Sequence, residues 1–233
     1  MPVLALDTSA AVAVALTDDS GAVLAARSDA QQRHHAELLT PMIADVLAEA
    51  GVDRRALTAV VVGTGPAPFT GLRVGLVTAR TLALALGIPV HGVPSLDALA
   101  ARASRVLPPG TDVLVATDAR RREVYWATYR LAGAGRIAVL AGPEVAAATD
   151  VAADPRAAGA LAIGRGAVLY PNLVSDTAPG VDLDGLGLLD PDPSELARLA
   201  LLRVAAGEQQ GTEPLYLRRP DAVPQAARKR VLG

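Results

Sequence analysis

A loop rich in glycine and proline, residues 63–75, is the stretch of this sequence that comes nearest to a phosphate-binding motif. It follows an apolar, β-branched run at 57–62 that is typical of a buried strand, and a helical pattern follows it. A P-loop would place Lys and then Ser or Thr after its last glycine, whereas this loop continues with Leu72 and Arg73. The glycine spacing also departs from the dinucleotide-binding fingerprint. Phosphate binding is therefore weakly supported, and a rigid turn fixed by the two prolines is the alternative.

Two aspartates provide the other candidate chemistry. Asp7 and Asp118 each follow an apolar strand pattern, one in each half of the chain. Such a pair could flank a nucleotide and its magnesium ion, which would suit a small-molecule kinase or ATPase. Each aspartate could instead cap the turn after its strand, because aspartate side chains accept hydrogen bonds from the backbone two residues on.

Other reaction types lack their residues. The chain has no cysteine, which excludes a thiol nucleophile, a disulfide framework and an iron–sulfur cluster. Its histidines are His34, His35 and His91, and adjacent positions on a helix point about 100° apart, so we predict no metal site. Ser95 is not in the Gly-x-Ser-x-Gly context of a hydrolase nucleophile.

Composition indicates a globular protein with substantial hydrophobic cores. The chain has 233 residues, of which 51% are hydrophobic, and its formal net charge is −2, which gives no general attraction for nucleic acid. Basic residues crowd only the end, at 218–230, where a solvated tail and an RNA or partner contact are both open. The lack of cysteine, of a basic leader and of a long uncharged apolar stretch predicts a cytoplasmic protein without a membrane segment.

The pattern along the chain predicts an α/β fold made of two similar halves. Strands are expected at 3–6, 10–17, 22–28, 57–62 and 88–93, with helices at 36–50, 70–86 and 95–104. After a break at 107–110, the strand, aspartate, turn and returning strand of 113–129 repeat the pattern of 3–16. Further on, we expect strands at 159–164 and 214–217, a helix at 193–206 and a loop at 171–191. The predicted domains are 1–107 and 108–218, followed by a basic tail at 219–233.

The helix predicted at 70–86 is apolar on two sides. One side carries Leu72, Leu76, Ala79, Ala83 and Leu86, and the other carries Val74, Val77 and Leu84. A helix that is apolar on two sides needs cover on both. We expect this helix and the one at 36–50 to lie side by side on the first sheet, which leaves a surface for a partner or for another helix of the same chain.

Six motifs, in order from residue 3 to residue 218, together resemble the TsaB family, also called YeaZ. They are Asp7-Thr8-Ser9; His35-Ala36-Glu37-Leu38-Leu39 with Pro41; Gly65-Pro66 with Phe69-Thr70-Gly71-Leu72-Arg73 and Gly75; Pro94-Ser95-Leu96-Asp97 with Leu99; Asp118-Ala119-Arg120 with Glu123-Val124-Tyr125; and Pro214 with Tyr216-Leu217-Arg218. The loop departs from the family at Ala67 and Pro68, where Gly-Ser is usual. The resemblance implies two duplicated actin/Hsp70-like (ASKHA, RNase H-like) domains with mixed sheets flanked by helices.

The resemblance also implies a function. Family members are non-catalytic subunits of the bacterial machinery that places threonylcarbamoyl on N6 of adenosine 37 in tRNAs reading codons that begin with A. They pair with the catalytic paralogue TsaD, are joined by the ATPase TsaE, form homodimers when alone, and meet tRNA through the complex. No cofactor is implied, with weak nucleotide binding at the interface of the complex left open. A kinase or ATPase that uses Asp7 and Asp118 is the alternative.

By this resemblance, two groups of residues become candidate sites. The cleft between the domains would be a vestigial nucleotide site at Asp7, Thr8, Ser9 and Asp118. The partner or dimer interface would lie on the two helices and comprise Leu38, Leu39, Met42, Ile43, Val46, Phe69, Leu72, Arg73, Leu76 and Arg80. On this assignment, glutamate at Met42 or Leu76 would weaken pairing without unfolding the chain.

Overall fold

The computed structural model describes residues 1–30, 35–173 and 181–218. The basic tail at 219–233, His34 and part of the loop expected at 171–191 lie outside the described residues, and of His35 only the backbone is described. The described residues form two mixed β-sheets with helices between and around them.

The first sheet contains five strands in the order β3-β2-β1-β4-β5. The strands are β1 (Val3–Asp7), β2 (Val12–Thr17), β3 (Val23–Asp29), β4 (Ala59–Gly63) and β5 (Val90–Val93). β1, β2 and β3 form the expected antiparallel meander, whereas β4 pairs in parallel with both β1 and β5. β1 and β2 are buried along their whole length, which matches their unbroken apolar sequences.

Helices α1 (His35–Glu49) and α2 (Phe69–Leu86) cover one face of the first sheet, as the sequence predicts. α2 ends at Gly87, which adopts the left-handed conformation (φ 66°), and its N–H caps the helix on Ala83 and Leu84 carbonyls. A 3-10 turn at Arg54–Ala56 leads from α1 into β4. The opposite face of the sheet is covered by α3 (Ser95–Val106) and by a helix from the second half of the chain.

The second sheet contains four strands in the order β8-β7-β6-β9. The strands are β6 (Asp112–Asp118), β7 (Glu123–Gly133), β8 (Arg136–Ala147) and β9 (Leu161–Ile163). β6 pairs antiparallel with β7 and parallel with β9, just as β1 pairs with β2 and β4. The second sheet therefore repeats the order and directions of β3, β2, β1 and β4, and this confirms the expected α/β fold of duplicated, actin/Hsp70-like halves with mixed sheets flanked by helices.

Helices from each half cross to the other sheet. The short helices α4 (Ala148–Ala153) and α5 (Arg165–Leu169) and a 3-10 turn at Pro171–Leu173 cover the outer face of the second sheet. α6 (Pro193–Ala205) packs on α3 and on the first sheet, while α3 packs on β6, β7 and β8. The division into domains at 107 remains a prediction, since helices of both halves contribute to both cores.

The described strands differ from the expected ones in two places: one strand was not predicted, and one expected strand is absent. β8 was not predicted, because the Gly142-Pro143 pair interrupts its apolar pattern and much of this edge strand is exposed. The strand expected at 214–217 is absent from the described chain. That segment is extended but does not pair with a sheet, although the N–H of Leu215 donates to the Thr64 carbonyl at 2.9 Å.

Among the described helices, α2 alone has the length and composition of a possible membrane span. Five of its residues are nevertheless buried, and Leu72, Leu76, Ala79 and Ala83 belong to the core of the first sheet. Part of its apolar composition thus serves a core that the chain itself supplies.

Two adjacent residues of α2 test which side of this helix faces the core. Leu76 is 4% exposed in the core and Val77 is 62% exposed. We expect Leu76→Ala to lower the free energy of unfolding by about 3 kcal/mol, because it removes buried methyl groups and leaves a cavity. Val77→Ala should change it by less than about 0.5 kcal/mol. Urea titrations of both variants measure the difference, and equal effects would contradict this seating of α2.

Candidate functional site

A cleft of about 440 Å³ opens between the two halves. One wall is formed by the residues after β1 and by the first turn of α2, and the other by the end of β6 and the start of α5. The polar side chains that line it are those of Thr8, Ser9, Thr70, Thr117, Asp118, Arg120 and Arg165. The structure therefore brings Thr8, Ser9 and Asp118 together, as predicted for the vestigial nucleotide site, but Asp7 does not line the cleft.

Asp7 is 2% exposed and lies beneath the cleft. Its Oδ1 accepts hydrogen bonds from the Ser9 N–H at 2.7 Å and the Ser9 hydroxyl at 2.5 Å, and its Oδ2 accepts one from the Ser95 hydroxyl at 2.6 Å. Burial raises the pKa of Asp7, and the hydrogen bonds from Ser9 and Ser95 oppose that rise. Both carboxylate oxygens thus accept hydrogen bonds from groups of the same chain, which supports the turn-capping interpretation of Asp7 over a role as a magnesium ligand.

Ser95 links Asp7 to the glycine-rich loop. Its hydroxyl donates to Asp7 and accepts from the Gly65 N–H at 3.2 Å, and its own N–H donates to the Gly65 carbonyl at 2.7 Å. The side chain is 1% exposed, so its oxygen is not accessible to a substrate. Ser95 therefore holds the first turn of α3 against the loop and cannot serve as a nucleophile in this arrangement.

The glycines of the loop accommodate these buried side chains. A Cβ at Gly63 would collide with the Asp7 carboxylate, and one at Gly75 would collide with the Thr8 hydroxyl. Thr8 in turn donates to the Gly71 carbonyl at 2.8 Å and accepts from the Gly75 N–H at 3.2 Å. The glycine pattern thus reflects close packing of α2 on the turn after β1, as in the rigid-turn alternative.

Asp118 also caps a turn, but it remains at the cleft. Its Oδ1 accepts from the Arg120 N–H at 2.9 Å, and its Oδ2 forms an ion pair with the Arg120 guanidinium at 3.4 Å. Arg120, Arg121 and Arg122 all have positive φ, between 55° and 65°, a conformation rarely adopted by residues other than glycine. Arg165, at the start of α5 on the same wall, makes two hydrogen bonds of 2.6 Å to Asp190. No pattern in the sequence singles out Arg165.

Five of the residues predicted for the partner interface are buried in the free chain. They are Leu39, Met42, Val46, Leu72 and Leu76, and each is at most 9% exposed within the core of the first sheet. Their assignment to a partner surface was wrong, because the sheet already covers that side of each helix. Glutamate at Met42 or Leu76 would therefore disrupt the core rather than only the pairing.

The other side of α2 is exposed. Val77 and Leu84 are 62% and 84% exposed, and Val74 is partly buried between them and the cleft. The sequence predicts this second apolar side and a spare face for a partner, but Val74, Val77 and Leu84 are not among the residues predicted for the interface. Leu38 and Ile43 of α1 are half-buried and remain candidates for a partner surface.

The remaining predicted interface residues contact the end of the described chain. Phe69 stacks on Tyr216, the Arg73 Nε donates to the Tyr216 hydroxyl at 3.0 Å, and the Arg80 Nε donates to the Thr212 hydroxyl at 2.8 Å. Within the described ranges, no group of three or more His, Cys, Asp or Glu side chains is arranged to hold a metal ion.

The pH dependence of stability tests the buried state of Asp7. Because burial raises its pKa from the ordinary value near 3.8, the folded chain binds this proton more tightly than the unfolded chain. The resulting stability is present below pH 3.8 and is lost as pH rises through the folded pKa. Asp7→Asn should therefore gain stability relative to the parent protein as pH rises through this window, as measured by urea unfolding.

Asp18 provides the matched control, since it lies in a second turn of the same Asp-x-Ser type but is exposed. It accepts from the Ser20 N–H at 2.9 Å and the Ser20 hydroxyl at 2.7 Å. These hydrogen bonds lower the pKa of Asp18, so its stabilisation is present above its usual range and is lost as pH falls. Asp18→Asn should thus lose stability relative to the parent with rising pH, and parallel profiles for the two variants would contradict the burial of Asp7.

Comparisons with known proteins identify the family. The model of the family "TsaD: tRNA N6-adenosine threonylcarbamoyltransferase" matches residues 23–169. An uncharacterized protein of Mycobacterium leprae is 43% identical over 97% of this chain, which spans 57% of that longer protein. The tRNA threonylcarbamoyladenosine biosynthesis protein TsaB of Bacillus subtilis is 30% identical over 95% of this chain and 96% of its own length.

The structural comparison agrees. The solved structure of YeaZ from Pseudomonas aeruginosa superimposes with a TM-score of 0.77 at 35% identity, and the match covers 93% of this chain and 99% of that one. A match of this extent includes both sheets and the cleft between them. The chain therefore belongs to the TsaB (YeaZ) family of tRNA threonylcarbamoyladenosine biosynthesis proteins.

Proposed function

We propose that this chain is the non-catalytic, activating subunit of the assembly that attaches threonylcarbamoyl to N6 of adenosine 37 in tRNAs reading codons that begin with A. It acts by pairing with the catalytic paralogue TsaD through α1 and α2. The observation that carries the proposal is the exposed apolar side of α2, next to α1 on the first sheet.

This partner face consists of Val74, Val77 and Leu84 of α2, with Leu38 and Ile43 of α1. Val77 and Leu84, two turns apart on one side of α2, are 62% and 84% exposed, and exposed apolar side chains grouped on one surface mark interaction sites. Full burial of an exposed aliphatic side chain contributes about 1.5–3 kcal/mol, so Val77 and Leu84 would contribute most, and the cost of association is subtracted. A partner helix that covers this face would satisfy the second apolar side predicted from the sequence.

The resemblance to the catalytic family supports pairing between similar surfaces. The TsaD model matches residues 23–169, a range that includes both α1 and α2. A paralogue with equivalent helices could meet this chain helix pair to helix pair, which gives a four-helix contact. The same geometry lets two copies of this chain form a homodimer when TsaD is absent.

The arrangement of the buried polar residues supports a non-catalytic role. The Asp7 oxygens accept hydrogen bonds from Ser9 and Ser95, and Ser95 is itself buried. A kinase of this fold would need a carboxylate turned towards nucleotide and metal, and a peptidase would need an accessible nucleophile. In this proposal the chain needs no cofactor of its own, works in the cytoplasm, is joined by the ATPase TsaE, and meets tRNA only through the complex.

Glutamates on the partner face test the interface. Val77→Glu combined with Leu84→Glu should weaken binding to TsaD, and dimerisation of the chain alone, by at least about tenfold, because two charges would have to be desolvated. The free chain should keep its unfolding free energy within about 0.5 kcal/mol, since both positions are exposed. Analytical ultracentrifugation and calorimetric titration with TsaD measure the two effects.

Leu202→Glu is the control for this pair of substitutions. Leu202 is 52% exposed on α6, so its change adds a similar charge to a different helix. It should leave both associations unchanged. Equal affinities for the parent chain, the partner-face variant and the control would rule out this face as the interface.

Reconstitution of the modification tests the role itself. Threonylcarbamoylation of tRNA by TsaD, its adenylate-forming enzyme and TsaE from the same organism should depend strongly on added chain, while the chain alone should turn over neither ATP nor tRNA. Modification that proceeds equally well without the chain, or ATP hydrolysis by the chain alone, would instead favour the kinase or ATPase alternative at Asp7 and Asp118.

A further inference from the structure

We infer that residues 212–218, which we term the C-terminal clasp, fix the two sheets relative to each other across the mouth of the cleft. The clasp joins the first turns of α2 to the turn between β6 and β7. This inference concerns the isolated chain and does not rest on the proposed function.

The chain enters the clasp along the edge of the first sheet. After α6, the Gln210 side chain donates to the Ala200 carbonyl at 3.0 Å, and the Gly92 N–H of edge strand β5 donates to the Gln210 carbonyl at 3.3 Å. A Cβ at Gly92 would collide with the Gly211 carbonyl oxygen, so glycine is needed where the segment passes this strand. The segment that leads into the clasp is therefore held to the edge of the first sheet.

The first residues of the clasp contact α2 and the end of β4. The Arg80 guanidinium donates to both the hydroxyl and the carbonyl of Thr212, at 2.8 and 2.5 Å. Further along, the Leu215 N–H donates to the carbonyl of Thr64, the residue that follows β4, at 2.9 Å. These contacts place the segment over the end of the first sheet from which α2 departs.

Tyr216 packs against the first turns of α2. Its ring stacks on Phe69 with 4.3 Å between the ring centroids, and its hydroxyl accepts from the Arg73 Nε at 3.0 Å. The Arg73 guanidinium lies 3.7 Å from the centroid of the Phe69 ring, which completes a group of three stacked side chains. Phe69 also lines the cleft, so Tyr216 supports one wall of the cleft from outside.

Arg218 reaches the other wall. Its guanidinium donates to the Ala119 carbonyl at 2.7 Å and pairs with the Glu123 carboxylate at 2.8 Å. Ala119 and Glu123 flank Arg120, which lines the cleft from the second half. Two residues apart on one segment, Tyr216 and Arg218 thus hold opposite walls of the same cleft. Residues 120–122 of the turn between β6 and β7 have positive φ. Arg218 contacts the residue on each side of them, Ala119 and Glu123.

The natural lack of cysteine makes a direct distance measurement possible. Ala56→Cys in the first half and Ala152→Cys in the second half, both at exposed positions, would carry spin labels for pulsed electron resonance. Dilution with unlabelled chain removes distances between copies. Combining Tyr216→Ala with Arg218→Ala should shift the distance between the halves or at least double the width of its distribution, because the cross-cleft contacts are lost.

Arg130→Ala is the matched control, since Arg130 forms an exposed pair with Asp112 at 2.7 Å within the second sheet only. This variant should keep the parent distribution. Tyr216→Phe should also keep it, because the stack on Phe69 remains. Arg218→Ala alone removes only the contact with the second wall, so it keeps the inference testable if the double variant does not fold.

A parent-like distribution in the folded double variant, or in Arg218→Ala where the double variant does not fold, would overturn the clasp. Hydrogen exchange gives an independent readout. The amides of Ala119 and Glu123, which donate to the Glu123 and Arg120 carbonyls, should exchange about tenfold faster in Arg218→Ala and at the parent rate in Arg130→Ala. No partner protein is present in either measurement, so failure here is separate from failure of the proposed function.

Discussion

The burial of α3 between the two sheets is the constraint on which the rest of the structure depends. Because this helix is covered on both sides, its polar residues must find partners inside the chain. Asp97, 6% exposed, accepts hydrogen bonds from the Tyr129 hydroxyl at 2.9 Å and the Arg203 guanidinium at 2.6 Å. Tyr129 lies on the second sheet and Arg203 on α6, so one carboxylate ties three layers together. Burial, followed by the nearby Asp97 charge, raises the pKa of Tyr129 well above its ordinary value.

The sequence predicted the repeated halves because short local patterns carry them. An unbroken apolar strand, an aspartate and a returning strand occur twice, and the pairings of β1 and β6 show the same topology. The exchange of helices between the halves had no such signal, since α6 packs on α3 and on the first sheet through contacts between residues about 90 or more positions apart. One example is the hydrogen bond of 2.9 Å from Arg105 to the buried Glu195. Periodicity reports which side of a helix is apolar, but not which sheet will cover it.

The same limit of periodicity explains why buried residues of α2 were assigned to a partner surface. Both of its apolar sides were visible in the sequence, and nothing local separates Leu76 from Val77 as a candidate for the core. The turn after β1 makes the choice, because Thr8 bonds to the Gly71 carbonyl and the Gly75 N–H and so fixes the rotation of the helix about its axis. Once Gly75 faces Thr8, Leu72 and Leu76 enter the core, and Val77 and Leu84 are left exposed. A polar contact between distant positions thus determines which side of α2 is exposed.

This dependence connects the site to the surface. In an enzyme of this fold, the turn after β1 would present its carboxylate to a ligand, and the loop before α2 would need room for phosphate. In this chain the turn and the loop contact each other instead. Asp7 fills the space that Gly63 leaves, and the Ser95 hydroxyl forms hydrogen bonds with both Asp7 and Gly65. Thr8, in the same turn as Asp7, seats α2 through its hydrogen bonds to the Gly71 carbonyl and the Gly75 N–H. In the proposed role of activating subunit, this buried polar network would fix which side of α2 is available to a partner.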